Sequence, residues 1–228
     1  MIRTERLTKI YSRGESNEVV AVDDVSLKIN SGDSLVIAGP SGSGKTTLLS
    51  LLGLLTRPTR GKIFLDDQEV SSYSDAWQTR VRREKMGFIF QQHNLLPQFL
   101  VWENVSLPLL YRDMGANERR RIVLHVLDRL GLGSRSDFKT AQLSVGEQQR
   151  VAIARALVTD PEIILADEPT ASVDAEAGAH ILEVFRGLKR SSKTVITVSH
   201  DPILLKEGDA TVELRSGVLV ENQRAGPS

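Results

Sequence analysis

The segment Gly39-Pro40-Ser41-Gly42-Ser43-Gly44-Lys45-Thr46 satisfies the pattern G-x-x-x-x-G-K-[ST] at every fixed position. Few runs of this length restrict a fold so tightly. The glycines let the backbone curl until successive N–H groups face one anion, and they keep side chains out of the anion's way. Such a loop works between a strand and a helix, with the helix N-terminus aimed at phosphate. The flanks agree: Asp33 to Ala38 (DSLVIA) reads as a short buried strand and Thr46 to Leu55 (TTLLSLLGLL) as an apolar helix. ATP or GTP is the first ligand to consider, with Gly39, Pro40, Ser41, Gly42, Ser43, Gly44, Lys45, Thr46 and Thr47 as candidate binding residues. Lys45 would reach the β- and γ-phosphates, and the Thr46 hydroxyl would ligate Mg²⁺. The competing explanation is a glycine-rich turn without a ligand.

Composition narrows the setting. The 228 residues are 40% apolar, enough for one sizeable core or a core with a smaller lobe. Lys plus Arg and Asp plus Glu each number 29, so no overall basic field favours nucleic acid, which is not an expected partner. With no cysteine there can be no disulfide, cysteine metal site or thiol nucleophile, which fits a cytoplasmic protein. Met1 to Tyr11 lacks the apolar core of a signal peptide. The longest apolar run, Leu48 to Leu55, is broken by Ser50 and Gly53 and is too short to span a bilayer. If the protein works at a membrane, a partner must supply the membrane part.

The first part of the chain reads as β-rich, with strands over Met1 to Ile10, Glu18 to Ile29 and Lys62 to Val70, the last turning at Asp66-Asp67-Gln68. Ser74 to Lys85 is polar and basic and reads as a solvated helix face. Met86 to Phe90 is a short strand ending at Gln91. Asn117 to Leu130 predicts an amphipathic helix capped by Asn117 and ended by Gly131, with Ile122, Val123, Val126, Leu127 and Leu130 on one face and His125 among the solvated positions. A helix over Glu147 to Leu157 precedes strands at Glu162 to Ala166 and Thr194 to Val198, an alternation that suggests a parallel sheet. Thr211 to Val220 reads as a hairpin turning at Ser216-Gly217, and Arg224 to Ser228 as a frayed tail. The expected organisation is a single domain over 1–228. Its core is built from 1–91, which includes an antiparallel β subdomain, and 158–228, and it is interrupted by a helical lobe over 92–157.

Ile163-Ile164-Leu165-Ala166-Asp167-Glu168 delivers two adjacent carboxylates at the C-terminal end of an apolar strand, where ligands bind in open α/β sheets. Asp167 would hold Mg²⁺, and Glu168 would orient or polarise the water that attacks the γ-phosphate. Acidic residues ending a strand also serve as helix caps. Leu143-Ser144-Val145-Gly146-Glu147-Gln148-Gln149-Arg150 has a rival explanation too, because Ser144 and Glu147 form an ordinary capping box before an apolar helix. That explanation does not reach Gly146 or the residues that follow.

At this point the chain resembles the ATP-binding cassette (ABC) family, whose signature L-S-G-G-[QE] is followed by Q-Q-R-V-A-I-A-R-A-L. Here Gln148 to Leu157 reads QQRVAIARAL. The resemblance covers nearly the whole chain and the motif order is highly specific. It implies an α/β fold with a P-loop NTPase core (a RecA-like parallel sheet), an antiparallel β subdomain and an inserted α-helical lobe. It implies an ATPase that uses ATP and Mg²⁺. Gln91 matches the glutamine loop that senses Mg²⁺ and the γ-phosphate. His200, in Ser199-His200-Asp201, matches the switch histidine that touches the γ-phosphate. Asp174, in Ala171-Ser172-Val173-Asp174, matches the loop that communicates across the dimer. Ser144, Val145, Gly146 and Glu147 match the signature that faces ATP on the other subunit. Tyr11 is similar to the aromatic residue that stacks on adenine, and equally to a half-buried strand residue.

One departure stands out: Val145 replaces the first glycine of the signature, while Ser144 and Gly146, the phosphate-facing positions, are kept. The run Gly87 to Tyr111 is most similar to the lipoprotein-releasing and macrolide- or peptide-export ATPases, the LolD/MacB group. The implied partners are a second copy of the chain, packed head to tail, and two integral membrane permease subunits. The implied place is the cytoplasmic face of the membrane, reached only through the permease. A short permease helix would enter a groove near Gln91, with Leu95, Leu96, Phe99, Leu100 and Trp102 as candidate lining or, equally, as core. Two other readings stay open: a soluble cassette ATPase of DNA repair or translation, and a regulator of a cell-wall hydrolase or antibiotic-sensing system acting through a membrane partner.

Overall fold

Apolar residues recur along this chain in two patterns, alternating in the long strands of Ile2–Tyr11 and Val19–Ile29 and continuous in short runs such as Leu35 to Ala38 and Ile163 to Ala166, and the two patterns go to different sheets. A computed structural model describes residues 1–171 and 173–224, with side chains to residue 220. In chain order the elements are β1 (Ile2–Tyr11), β2 (Val19–Ile29), β3 (Ser34–Ala38), α1 (Lys45–Leu52), β4 (Arg60–Leu65), β5 (Gln68–Glu69), α2 (Asp75–Lys85), β6 (Met86–Ile89), α3 (Val101–Ser106), α4 (Ala116–Arg129), α5 (Val145–Leu157), β7 (Ile163–Asp167), α6 (Ala175–Arg190), β8 (Thr194–Val198), α7 (Pro202–Glu207), β9 (Ala210–Arg215) and β10 (Val218–Arg224). The first sheet is antiparallel in the order β2-β1-β4-β5, and the second runs β10-β9-β3-β8-β7-β6. All pairings in the second sheet are parallel except β9 with β10.

Parallel strands are covered on both faces and so read as unbroken apolar runs. Every residue of β7 and β8 is buried. Alternation then divides their side chains between two hydrophobic clusters. Ile163, Leu165, Ile196 and Val198 join α1 and the antiparallel sheet in one cluster, while Ile164, Ala166 and Val195 join α3, α4, α5 and α6 in the other. The sheet is thus the wall between two cores.

Several boundaries differ from the sequence expectation, each for a local reason. The helix expected to run to Leu55 ends at Leu52, where Leu54 takes a left-handed φ of 56° and the N–H groups of Leu54 and Leu55 return to the carbonyls of Leu51 and Ser50. This is a Schellman ending with leucine where glycine is usual. Asn117 does not cap α4. Gly115 holds the cap position without a side-chain bond, and Asn117 lies inside the first turn. The helix carrying the signature starts at Val145 rather than Glu147 because Ser144 takes the cap. The hairpin after β4 turns on Asp66 and Asp67 alone, both left-handed, with Gln68 already paired. Of the tail expected to fray, Arg224 ends β10 and 225–228 lie outside the described residues.

Helix α5 packs closely on the sheet at Gly87, where an added Cβ would collide with the carbonyl oxygen of Ala156 at the end of α5. Gly87→Ala should therefore lower the free energy of unfolding by about 1–3 kcal/mol, read as a lower urea midpoint at unchanged slope. Gly178→Ala inside α6 meets nothing closer than Val173 Cγ2 at 3.9 Å. It should raise stability, by about 0.4–1 kcal/mol. A Gly87→Ala protein as stable as its parent would contradict the packing described.

Candidate functional site

In a parallel sheet all C-terminal strand ends lie on one edge, and the loops after β3, β6, β7 and β8 meet there. They enclose a cavity of about 790 Å³ lined by Gly39 to Thr47, Gln91, Asp167, Glu168 and His200. Residues as far apart in sequence as Gly39 and His200 are brought to one place. The loop after β3 is gripped from both sides: a Cβ on Gly39 would strike the carbonyl oxygen of Leu214 in β9, and one on Gly44 that of Ala21 in β2. Both glycines also hold positive φ, 141° and 101°. Gly44 precedes α1 with no side-chain cap, which leaves the first-turn N–H groups of Lys45, Thr46 and Thr47 to face an anion. Lys45 Nζ donates to the carbonyls of Gly39 (2.8 Å) and Pro40 (2.9 Å), folded over the loop it would leave for phosphate.

Asp167 is buried at the end of β7, and its Oδ1 has no hydrogen-bond partner among the described residues. Burial raises its pKa above the ordinary 3.8, opposed by the Thr46 hydroxyl and the Lys45 ammonium and reinforced by the neighbouring Glu168 charge. A buried carboxylate with a free oxygen, beside a hydroxyl, fits a small hard cation. No cluster of three His, Cys, Asp or Glu occurs among the described residues. Mg²⁺ is commonly held by one or two carboxylates together with waters and substrate phosphates, and the Asp167 carboxylate beside the Thr46 hydroxyl suits that arrangement.

Glu168 stands in a left-handed conformation, φ 47°, an uncommon and costly one for a side chain of this kind. Its N–H donates to the Val198 carbonyl (2.9 Å), which fixes the turn to β8. Its Oε1 lies 2.8 Å from Nδ1 of His200, whose ring is exposed while the carboxylate is mostly buried. With the proton on Nδ1 the imidazole donates to Glu168 and Nε2 is left as an acceptor.

The remaining expected site residues are elsewhere. Ser144, Val145, Gly146, Glu147 and Asp174 do not line the cavity. Ser144 and Glu147 form the capping box, Ser144 Oγ accepting from the Glu147 N–H at 3.2 Å and the Ser144 N–H donating to Glu147 Oε2 at 2.9 Å. That bond and Arg135 hold the Glu147 carboxyl below its ordinary value. Asp174 caps α6 by accepting from the Ala177 N–H at 2.8 Å. A Cβ on Gly146 would come within 2.8 Å of Ala177 Cβ, so the start of α5 and the start of α6 lie against each other. The capping box is real, and it leaves Val145 half exposed on the same turn. Tyr11 is exposed, with Lys9 Nζ 5.0 Å from its ring centre, and pairs across the sheet with Val19, which lines the cavity.

Val19, Val20, Ala21 and Ser216 also line the cavity, and the sequence reading did not single them out for it. No motif marks them. Gly217 N–H donates to the Ser43 carbonyl (2.9 Å), a contact between distant turns. A cleft of about 460 Å³ near Gln91 is lined instead by Leu55, Arg82, Arg83, Phe90, Tyr111 and Arg155 among others, and not by the five residues expected. Leu95 and Trp102 pack on the helical-side cluster, Leu100 stands at the start of α3 with its N–H donating to Glu103 Oε2, and Leu96 and Phe99 are exposed outside the cleft.

The family model described as "ABC transporter" matches residues 22–171. An uncharacterized ABC transporter ATP-binding protein of Thermotoga maritima is 46% identical over 218 residues, covering 96% of this chain and 93% of its own. The macrolide export ATP-binding/permease protein MacB of Bdellovibrio bacteriovorus is 42% identical over 98% of this chain but only 34% of its own length. The structure superimposes, with a TM-score of 0.94, 39% identity and complete coverage of both chains, on a dimeric post-hydrolysis state of the ATP-binding cassette MJ0796 bound to ADP and Pi. MJ0796 comes from Methanocaldococcus jannaschii.

The raised pKa of Asp167 has a consequence for stability. A carboxyl whose folded-state pKa exceeds its unfolded value contributes stability that is full below the unfolded pKa and lost as pH rises through the folded one. At neutral pH the ionised group burdens the nucleotide-free protein. Asp167→Asn should raise the stability of the nucleotide-free chain by about 0.5–2 kcal/mol and flatten its pH dependence above about pH 4. Urea titrations at several pH values check both; a less stable variant would show that the carboxylate is well satisfied as it stands.

Proposed function

The chain belongs to the ABC transporter family and is an ATPase cassette of the P-loop NTPase fold, and from that premise we propose that two copies close head to tail on two ATP molecules to drive a membrane permease. The reading extends to export, extraction or transmission of motion of the LolD/MacB type, with the chain held at the cytoplasmic face by its partner. Among the described residues no helix is long and apolar enough to cross a membrane. One observation carries the proposal: the phosphate loop, Lys45, Asp167, Glu168 and His200 share one cavity, while Ser144 to Gly146 form a separate exposed turn next to the Asp174 cap. In this reading each chain holds half of two sites. A two-fold axis lets the same pair of patches complete both and closes the assembly.

Within a site, the loop N–H groups and Lys45 hold the phosphates, and Tyr11 stacks on the base beside Val19. Mg²⁺ held by Thr46, Asp167 and Gln91 would neutralise phosphate charge. Glu168 accepts a proton from the water whose oxygen bonds to the γ-phosphorus, and the bond to the ADP oxygen breaks with its electrons on that oxygen. The 2.8 Å contact of His200 with Glu168 supports a role in placing this carboxylate before ATP arrives. The cleft by Gln91 suits a permease helix. Its described lining includes three arginines, Arg82, Arg83 and Arg155, and no carboxylate.

Glu168→Gln should keep MgATP binding and slow hydrolysis by about 10² to 10⁴, the usual worth of a positioned base, with an ATP-bound dimer accumulating in gel filtration. Turnover close to the parent's would remove Glu168 from that role.

Ser144→Arg separates cap from shared site. As a cap alone, its loss costs about 0.5–2 kcal/mol of stability and spares turnover. In the shared-site reading it abolishes ATPase activity and ATP-driven dimerisation, and mixing it with Lys45→Ala restores part of the activity through the one composite site that carries neither change. Normal activity and dimerisation in Ser144→Arg alone would sink the head-to-tail model.

A further inference from the structure

A second cavity, which shares no lining residue with the nucleotide site, lies where the ends of α4 and α5 meet α6. Its volume is about 340 Å³, within the range of small-molecule sites. Leu130, Leu157, Val184 and Leu188 make its apolar wall. Four cations and two carboxylates surround it, and they are not evenly matched. Lys193 pairs with Asp160 at 2.8 Å and Arg190 with Glu183 at 2.7 Å. Arg129 and Arg150 have no ion pair among the described residues. Arg150 Nε is buried without an acceptor among the described residues, an uncommon state that costs more than an exposed donor and calls for a partner.

We propose that this cavity is a binding site for a small amphipathic organic anion, whose acidic head sits on Arg129 and Arg150 and whose apolar body lies against Leu130, Leu157, Val184 and Leu188. The guanidinium fork matches carboxylate and phosphate oxygens alike, so the shared chemistry is a compact oxyanion on an apolar body. An uncharged apolar molecule would leave the two arginines as they are. A strongly charged polar one, such as a free nucleotide, would waste the apolar wall. The occupant touches both the helix that carries Ser144 at its far end and the helix that Asp174 caps, so the site bridges the lobe and the core.

Three probes with one apolar body test this: 2-naphthoate, 2-naphthyl phosphate and uncharged 2-naphthalenemethanol, titrated by fluorescence into the full chain with the phosphate loop filled by ADP. At least one anion should saturate a single site, about tenfold more tightly than the alcohol. The stronger of the two identifies the head group as carboxylate or phosphate. Arg129→Gln, an exposed change outside the nucleotide site, should bring that anion's affinity near the alcohol's and leave the alcohol's unchanged. Val184→Trp, checked for an unaltered unfolding transition, should weaken all three by filling the cavity. Equal affinity for anion and alcohol, an anion affinity untouched by Arg129→Gln, or no saturable binding to the parent chain would each overturn the proposal.

Discussion

Everything at the nucleotide edge depends on how tightly the backbone of the phosphate loop is held. Gly39 lies against the Leu214 carbonyl, Gly44 against the Ala21 carbonyl, and the Ser43 carbonyl accepts from Gly217. Two segments far apart in sequence, β2 and the β9–β10 hairpin, thus clamp a loop of a few residues, leaving no room for a single Cβ at either glycine. A loop clamped this way can aim its N–H groups at an anion without being reorganised when the anion arrives, which is what electrostatic preorganisation requires. The same clamp orders α1, whose leucines are buried in the cluster shared with the antiparallel sheet. Site rigidity and core formation are one event here.

Against that rigid cradle the chain keeps groups that are poorly satisfied on their own. Asp167 has a buried oxygen without a partner, Ser43 Oγ is likewise unpaired among the described residues, and Glu168 sits on a left-handed turn. Active sites collect such defects because the ligand, rather than the fold, completes them. The His200 contact is the exception, giving Glu168 one partner that an incoming phosphate can displace.

The separation of the start of α5 from the cavity shows how one motif can serve two ends. Ser144 and Glu147 form a reciprocal cap on their own helix, so the fold of a single chain already gives both a role. Only Val145, half exposed, and Gly146, pressed against α6, hint at a second surface. A capping box consumes one Ser144 lone pair, and the hydroxyl proton is still free to donate. Stability and a role in trans are therefore compatible at one residue.

Much was legible in the sequence because local chemistry carried it. The run Gly39 to Thr46 implies its own strand and helix, the apolar stretches Ile163–Asp167 and Thr194–Val198 imply buried parallel strands, and Asp167-Glu168 lies where such a strand must end. Helix ends were less legible. Leu54 adopts a left-handed turn because a Schellman ending and the packing of Gly53 on Phe88 outweigh its preference, and Gly115 rather than Asn117 begins α4. The cavity walls from Val19 to Ala21 and at Ser216, the cleft by Arg83 and Tyr111, and the unpaired Arg150 had no signal at all. Those features are made by the juxtaposition of segments 20 to 200 residues apart. Motifs record what a backbone needs over a few neighbouring residues, whereas a wall, a cleft or a missing counter-ion depends on which distant side chain happens to stand opposite, and only the packed structure decides that.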